Sequence, residues 1–189
     1  KVAGSLVADV GIPAEAECCV GPGELTLIPA RSKTSHKGVG GNVLVIGGGP
    51  YQGAPYLAGL GALRGGADIV RIASPVFEPV PDLIYERLDG DRIRADHAER
   101  LIALAEKADA VVCGNGLGTE SHDVVMAVAP HCARAVFDAD ALRCPLPRAV
   151  QETIYTPHAG EFARMTRTPL PQDPAGRMKA ARDAGIPGT

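Results

Sequence analysis

The feature that most constrains this chain is a recurring unit. A short, wholly apolar run stops abruptly at small or polar residues, and a stretch with helical character follows. Val43-Leu44-Val45-Ile46 ends in Gly47-Gly48-Gly49-Pro50, and Ala110-Val111-Val112-Cys113 ends in Gly114-Asn115-Gly116. Ala135-Val136-Phe137 ends in Asp138-Ala139-Asp140, and Thr153-Ile154-Tyr155 ends in Thr156-Pro157-His158. Ile69 to Ala73 is a further apolar run, broken by Arg71, and also reads as a strand. Continuous β-branched runs suit strands buried on both faces, as in a parallel sheet. The intervening segments read as helices: Ala54–Leu63, stopped by Gly65-Gly66; Arg100–Lys107, behind Asp96 and Glu99 at capping-box spacing; and Val124–Ala129. A final helix is expected behind Asp173-Pro174, closing at Gly185. Alternating strands and helices predict an α/β domain with a mainly parallel central sheet flanked by helices.

The 189 residues suffice for one core of ordinary size. Residues 1–35 lack sustained periodicity, with Leu25, Leu27 and Pro29 suggesting a short edge segment. A net charge of -3 and a pI of about 6.0 argue against a nucleic-acid partner, which usually meets a basic face. Apolar runs are too short to span a bilayer, and the first residues do not read as a signal peptide, so no membrane partner is expected. The five cysteines form no C-x-x-C pair, and their odd number suggests reduced thiols and a cytoplasmic protein.

The polar clusters all lie just past apolar strands, where open α/β sheets bind ligands. Each taken singly is an ordinary tight turn; four together point to a site. The loop Gly47 to Ala54 is not a dinucleotide fingerprint, because Gln52 takes a glycine's place. It is not a P-loop either, since Ala54-Pro55 replace the required Lys and Ser/Thr. Gly53, Ala54 and Pro55 leave a helix start that a ligand can approach closely. In Gly114-Asn115-Gly116-Leu117-Gly118, the glycines call for a ligand or a close backbone contact. Asp138 and Asp140 can serve Mg²⁺, a substrate hydroxyl or acid/base work, and either can cap the turn through Leu142. In Thr156 to Phe162, Thr156 is expected as the N-cap and Pro157 as the first helical residue. That places a neutral His158 and the acidic Glu161 in the first turn. A capped helix with a solvated histidine is the plain alternative. His36, His97, His122 and His131 carry no assigned role.

Taken together, these segments resemble the NAD(P)H-hydrate dehydratase family, which is ribokinase-like. His36-Lys37-Gly38, Val43 to Gly48, Tyr51 to Ala58 and Ala62 to Asp68 are similar to its opening. Gly114 to Gly118 is similar to its G-P-G-L-G loop, with Asn115 for the usual Pro; Asp138 to Leu142 and Thr156 to Phe162 match its D-A-D-A-L and T-P-H-x-G-E-F signatures. The resemblance covers roughly residues 21–189, taken as the N-terminal portion of the dehydratase domain. Val7 to Pro13 looks like the last strand of a preceding NAD(P)HX epimerase domain, so residues 1–20 are expected as its tail and the parent as bifunctional.

The resemblance implies ADP- or ATP-dependent dehydration of (6S)-NAD(P)HX to NAD(P)H with Mg²⁺ in support, in a homo-oligomer of tetramer size or larger. It implies that Ala54, Gly116 or Gly118, and His158 line the hydrate site, and that the stretch from His158 through Glu161 to Arg164 lies along it. Gly53, Asp138 and Asp140 complete the candidate set. The family's later nucleotide-binding segments and catalytic Asp are expected beyond Thr189, and the chain alone is expected to be inactive. The rivals are a ribokinase-like kinase of a sugar or thiazole alcohol, and a non-catalytic nucleotide-binding domain.

Overall fold

A computed structural model describes residues 21–28 and 40–186. The epimerase-like tail, residues 1–20, and the His36-Lys37-Gly38 segment lie outside the described residues. By contacts the chain divides into two units, 1–36 and 37–189. In the first, Pro22–Leu27 forms a short 3-10 helix rather than an edge strand. Its turn is closed by a backbone bond from Glu24 to Gly21 and by the Glu24 carboxylate, which accepts from the Gly21 amide.

The second unit is built on six strands: β1 (Asn42–Ile46), β2 (Ile69–Ser74), β3 (Ile84–Arg87), β4 (Ala110–Cys113), β5 (Arg134–Phe137) and β6 (Glu152–Tyr155). All pairings are parallel, in the order β3-β2-β1-β4-β5-β6. The helices are α1 (Ala54–Arg64), α2 (Ala98–Ala105), α3 (His122–Val128), α4 (Ala159–Thr166) and α5 (Pro174–Asp183). Alternation along β1 divides the core into two layers. Leu44 and Ile46 join Leu101, Val125 and Val128 of α2 and α3, with Val111 and Phe137 from neighbouring strands. Val45 joins Tyr56 of α1, Val70 and Ile72. Each fully buried aliphatic side chain contributes roughly 1.5–3 kcal/mol of transfer free energy, so the central strands are the most strongly specified part of the fold.

The five apolar runs are strands, as expected, and Asp173 caps α5 by accepting from the Gly176 amide at 2.7 Å. Two local readings differ. Asp96 does not open the helix after it: a 3-10 turn, Ala95–His97, precedes α2, whose N-cap is His97 without a side-chain cap bond. That turn is closed instead by the Arg94 amide donating to His97 Nδ1 at 3.0 Å. The edge strand β3 was not foreseen. Its Ile84 is exposed, and Glu86 pairs with Arg71 of β2 at 2.6 Å, so it lacks the apolar signature of the central strands.

Cys113 and Cys132 are buried and unbridged, and burial pushes both thiols up, Cys132 to about 12; Cys144 is exposed. Cys18 and Cys19 lie outside the described residues. Among the described residues no helix is long and apolar enough to cross a membrane.

Candidate functional site

The strand order reverses between β1 and β4. From β1 the chain moves outward through β2 to β3, then returns beyond β1 to β4 and continues to β6. In sheets of this kind the crevice at the carboxyl ends of the two diverging strands is the favoured place for a ligand. The two glycine loops leave β1 and β4 at that point.

The loops lock onto each other. The Gly48 amide donates to the Asn115 carbonyl at 2.9 Å. Gly116 is buried with φ +72, and a Cβ there would stand 2.2 Å from the Tyr51 carbonyl oxygen. Gly114, at φ +130, would bring a Cβ to 1.8 Å from the Asp138 carbonyl oxygen. These two positions require glycine for backbone conformation and for close backbone approach. Gly118 donates its amide to Asp140 Oδ2 at 2.9 Å. Gly53 behaves differently. It is exposed, its φ is -81, and the space a Cβ would enter is open. It is the N-cap of α1, with the exposed Ala54 as first helical residue. The glycines therefore divide into a packed floor, containing Gly114 and Gly116, and an open rim at Gly53 and Ala54.

The carboxylates act as ties. Asp138 accepts from Asn115 Nδ2 and from Thr156 Oγ1, each at 2.8 Å, joining the loop after β4 to the loop after β6. Neither Asp138 nor Asp140 caps the 3-10 turn Ala139–Ala141 through its side chain: Asp138 is the N-cap residue without such a bond, and Asp140 is turned to Gly118. The capping alternative is thereby replaced by bonds between loops.

Thr156 is not the N-cap of α4, nor Pro157 its first residue. The Thr156 hydroxyl is taken by Asp138, and the cap is His158, held in extended conformation at φ -72, ψ 171. His158 Nδ1 accepts from the Gly160 and Glu161 amides at 3.0 and 3.4 Å, while Glu161 Oε2 accepts from the His158 amide at 2.8 Å. An accepting Nδ1 carries no hydrogen, so the ring is the neutral Nε2–H tautomer. Its Nε2 stands 3.1 Å from Glu161 Oε1. Glu161 is almost fully buried, whereas His158 is 68% exposed. The reciprocal cap thus fixes the tautomer and orientation of a solvent-facing imidazole.

The structure links Asp140 to Gly118 directly, ties Asp138 to Asn115 and Thr156, and places Gly53, Ala54, Gly116 and His158 at the carboxyl ends of β1, β4 and β6. Arg164 sits farther along α4, beside Leu142, Arg143 and Cys144, and Glu161 faces inward. Two residues were missed. Asn115, noted only as a replacement for Pro, supplies both a backbone and a side-chain tie. Arg92, in the loop after β3, has its Cα 3.7 Å from where a Cβ of Gly49 would stand and pairs with Glu120 just beyond the second loop. Nothing in the local sequence around Arg92 signals this, because its placement depends on the unforeseen β3.

Among the described residues no three His, Cys, Asp or Glu side chains group as a metal cage. Mg²⁺ commonly needs only one or two carboxylates beside a ligand's phosphates. Asp138 has a bond at each oxygen, while Asp140 accepts at Oδ2 and leaves Oδ1 without a hydrogen bond among the described residues, open to an ion carried on a ligand's phosphates.

Comparison with known proteins agrees with this architecture. The "Bifunctional NAD(P)H-hydrate repair enzyme Nnr" of Methanospirillum hungatei is 55% identical over the whole chain, which covers 39% of that protein. An "ADP-dependent (S)-NAD(P)H-hydrate dehydratase" of Nitrosopumilus maritimus is 33% identical over 73% of this chain and 53% of its own length. A ribokinase-like superfamily protein of Enterococcus faecalis shares the fold, with a TM-score of 0.63 at 21% identity over 82% of this chain and 59% of that one. The chain spans about two fifths of the bifunctional relative. The model for NAD(P)H-hydrate dehydratase matches residues 43–185, and the chain belongs to that family.

Proposed function

We propose that this chain forms the hydrate-binding part of a site at which its parent protein, using ADP or ATP, dehydrates (6S)-NAD(P)HX to NAD(P)H. The observation that carries the reading is the junction at the strand-order reversal: two interlocked glycine loops, tied through Asp138 to the loop that delivers a single-tautomer His158. The exposed first turn of α1 at Gly53 and Ala54 offers free amides to a polar or anionic ligand group. The neutral His158 ring, held by Glu161, presents a hydrogen-bonding edge to a hydrated nicotinamide, and Arg164 lies along the same helix. Gly116 and Gly118 shape the crevice through the backbone, and Asp140 completes the shell of a phosphate-borne Mg²⁺. The nucleotide's terminal phosphate would activate the substrate hydroxyl for departure. The names of the relatives, one a bifunctional repair enzyme and one an ADP-dependent dehydratase, support the same reading. The parent is proposed as a cytoplasmic homo-oligomer that also carries an epimerase activity.

The test is turnover of NADPHX by the parent protein with ADP or ATP and Mg²⁺, followed by NADPH fluorescence. Nucleotide-dependent NADPH formation is expected, and His158→Ala should lower kcat/KM by roughly 10- to 100-fold, as loss of a positioning group does. Nucleotide consumption with a sugar or thiazole alcohol, and none with NADPHX, would overturn the assignment.

A further inference from the structure

Arg92 crosses the same junction. Its backbone packs against Gly49 of the first glycine loop, and its guanidinium reaches Glu120, two residues past Gly118 of the second. The neighbouring Ile93 is fixed as well, its carbonyl accepting from the buried Ser121 hydroxyl at 2.7 Å. The arginine is thus delivered to the crevice by a braced backbone.

Its charge is only partly used. Nη1 donates to Glu120 and Nη2 to Asp91, but both carboxylates are largely exposed, at 69% and 66%, and pairs of that kind hold weakly. Nε is buried and makes no hydrogen bond among the described residues. A guanidinium has five donors in a planar fork matched to phosphate, and here some remain uncommitted beside a glycine loop. The junction otherwise holds the carboxylates of Asp138, Asp140 and Glu120, which would repel a phosphate unless a cation stood among them.

Resting on the dinucleotide reading above, we propose that Arg92 is a phosphate-binding residue of this site, exchanging its exposed carboxylate partners for a phosphate of the bound dinucleotide. Glu120 is then a resting partner that competes with the ligand. A purely structural strap between the two loops makes the opposite prediction for Glu120, because either half of a strap is equally necessary.

The experiment measures dissociation constants of the parent protein and its Arg92→Gln, Arg92→Lys and Glu120→Gln variants by calorimetry. The probes are NADPH, reduced nicotinamide riboside, which has no phosphate, and inorganic pyrophosphate. Arg92→Gln should weaken NADPH and pyrophosphate about tenfold or more and leave the riboside unchanged, as loss of a charge-assisted fork implies. Arg92→Lys should retain part of the binding, and Glu120→Gln should bind both phosphate ligands as tightly as the parent or tighter. Equal weakening by Arg92→Gln and Glu120→Gln, or loss of riboside binding in Arg92→Gln, would show a strap and overturn the proposal. Unchanged NADPH and pyrophosphate binding in Arg92→Gln would overturn it too. A parent that binds pyrophosphate through Arg92 but not NADPH would contradict the dinucleotide reading while leaving the anion site standing. A parent that binds neither phosphate ligand would remove the site.

Discussion

The floor of the junction and its rim are both made of small residues, yet they answer to different constraints. At the floor, Gly114 and Gly116 are small because a neighbouring backbone occupies the space a side chain would need. At the rim, Gly53 faces open space and Ala54 is exposed, and nothing among the described residues demands their size. The floor is therefore a requirement of folding. The rim is where smallness can serve a ligand.

Substitutions separate the two. Gly114→Ala should have the largest effect, costing about 3 kcal/mol or more from overpacking against Asp138 and an unfavourable backbone angle. Thermal unfolding of the parent measures it, and a small change would show that the loops are free to part. Asp138 comes next. Asp138→Ala removes two charge-assisted bonds and strands the Asn115 amide, an expected loss of about 2–3 kcal/mol. Asp138→Asn should cost about 1 kcal/mol, because an amide can still accept from Asn115 and donate to the Thr156 hydroxyl. Equal losses in the two variants would mean that the charge matters beyond the tie. Gly53→Ala should be the mildest, within about 0.5 kcal/mol, since its φ is already ordinary and the space is empty. A larger loss there would move Gly53 from the rim to the floor.

The central strands β1 and β4 were legible in the sequence because they pack on both faces and carry unbroken apolar runs. β3 was not, because an edge strand that exposes Ile84 and pairs Glu86 with Arg71 has no such run, and Arg92 was lost with it. The start of α4 was displaced by tertiary competition. Thr156 has the chemistry of a cap, but Asp138 claims its hydroxyl and the role passes to His158. Asp96 shows the same limit, its capping-box spacing overridden by a 3-10 turn closed through His97. The glycine loops were recognised as unusual. Only the three-dimensional contacts, however, assign Gly114 and Gly116 to backbone packing and leave Gly53 open, because what fills a missing Cβ is a property of the neighbouring loop.

The most direct test fills the rim without touching the floor. Ala54→Leu adds an exposed side chain at the first turn of α1, where leucine is compatible with the helix, and it should leave the unfolding temperature of the parent protein essentially unchanged. If the open first turn cradles the hydrated nicotinamide dinucleotide, kcat/KM for NADPHX should fall by roughly 10- to 100-fold, as misplacement of a bound substrate does. A stably folded Ala54→Leu variant that turns over NADPHX like the parent would contradict the account.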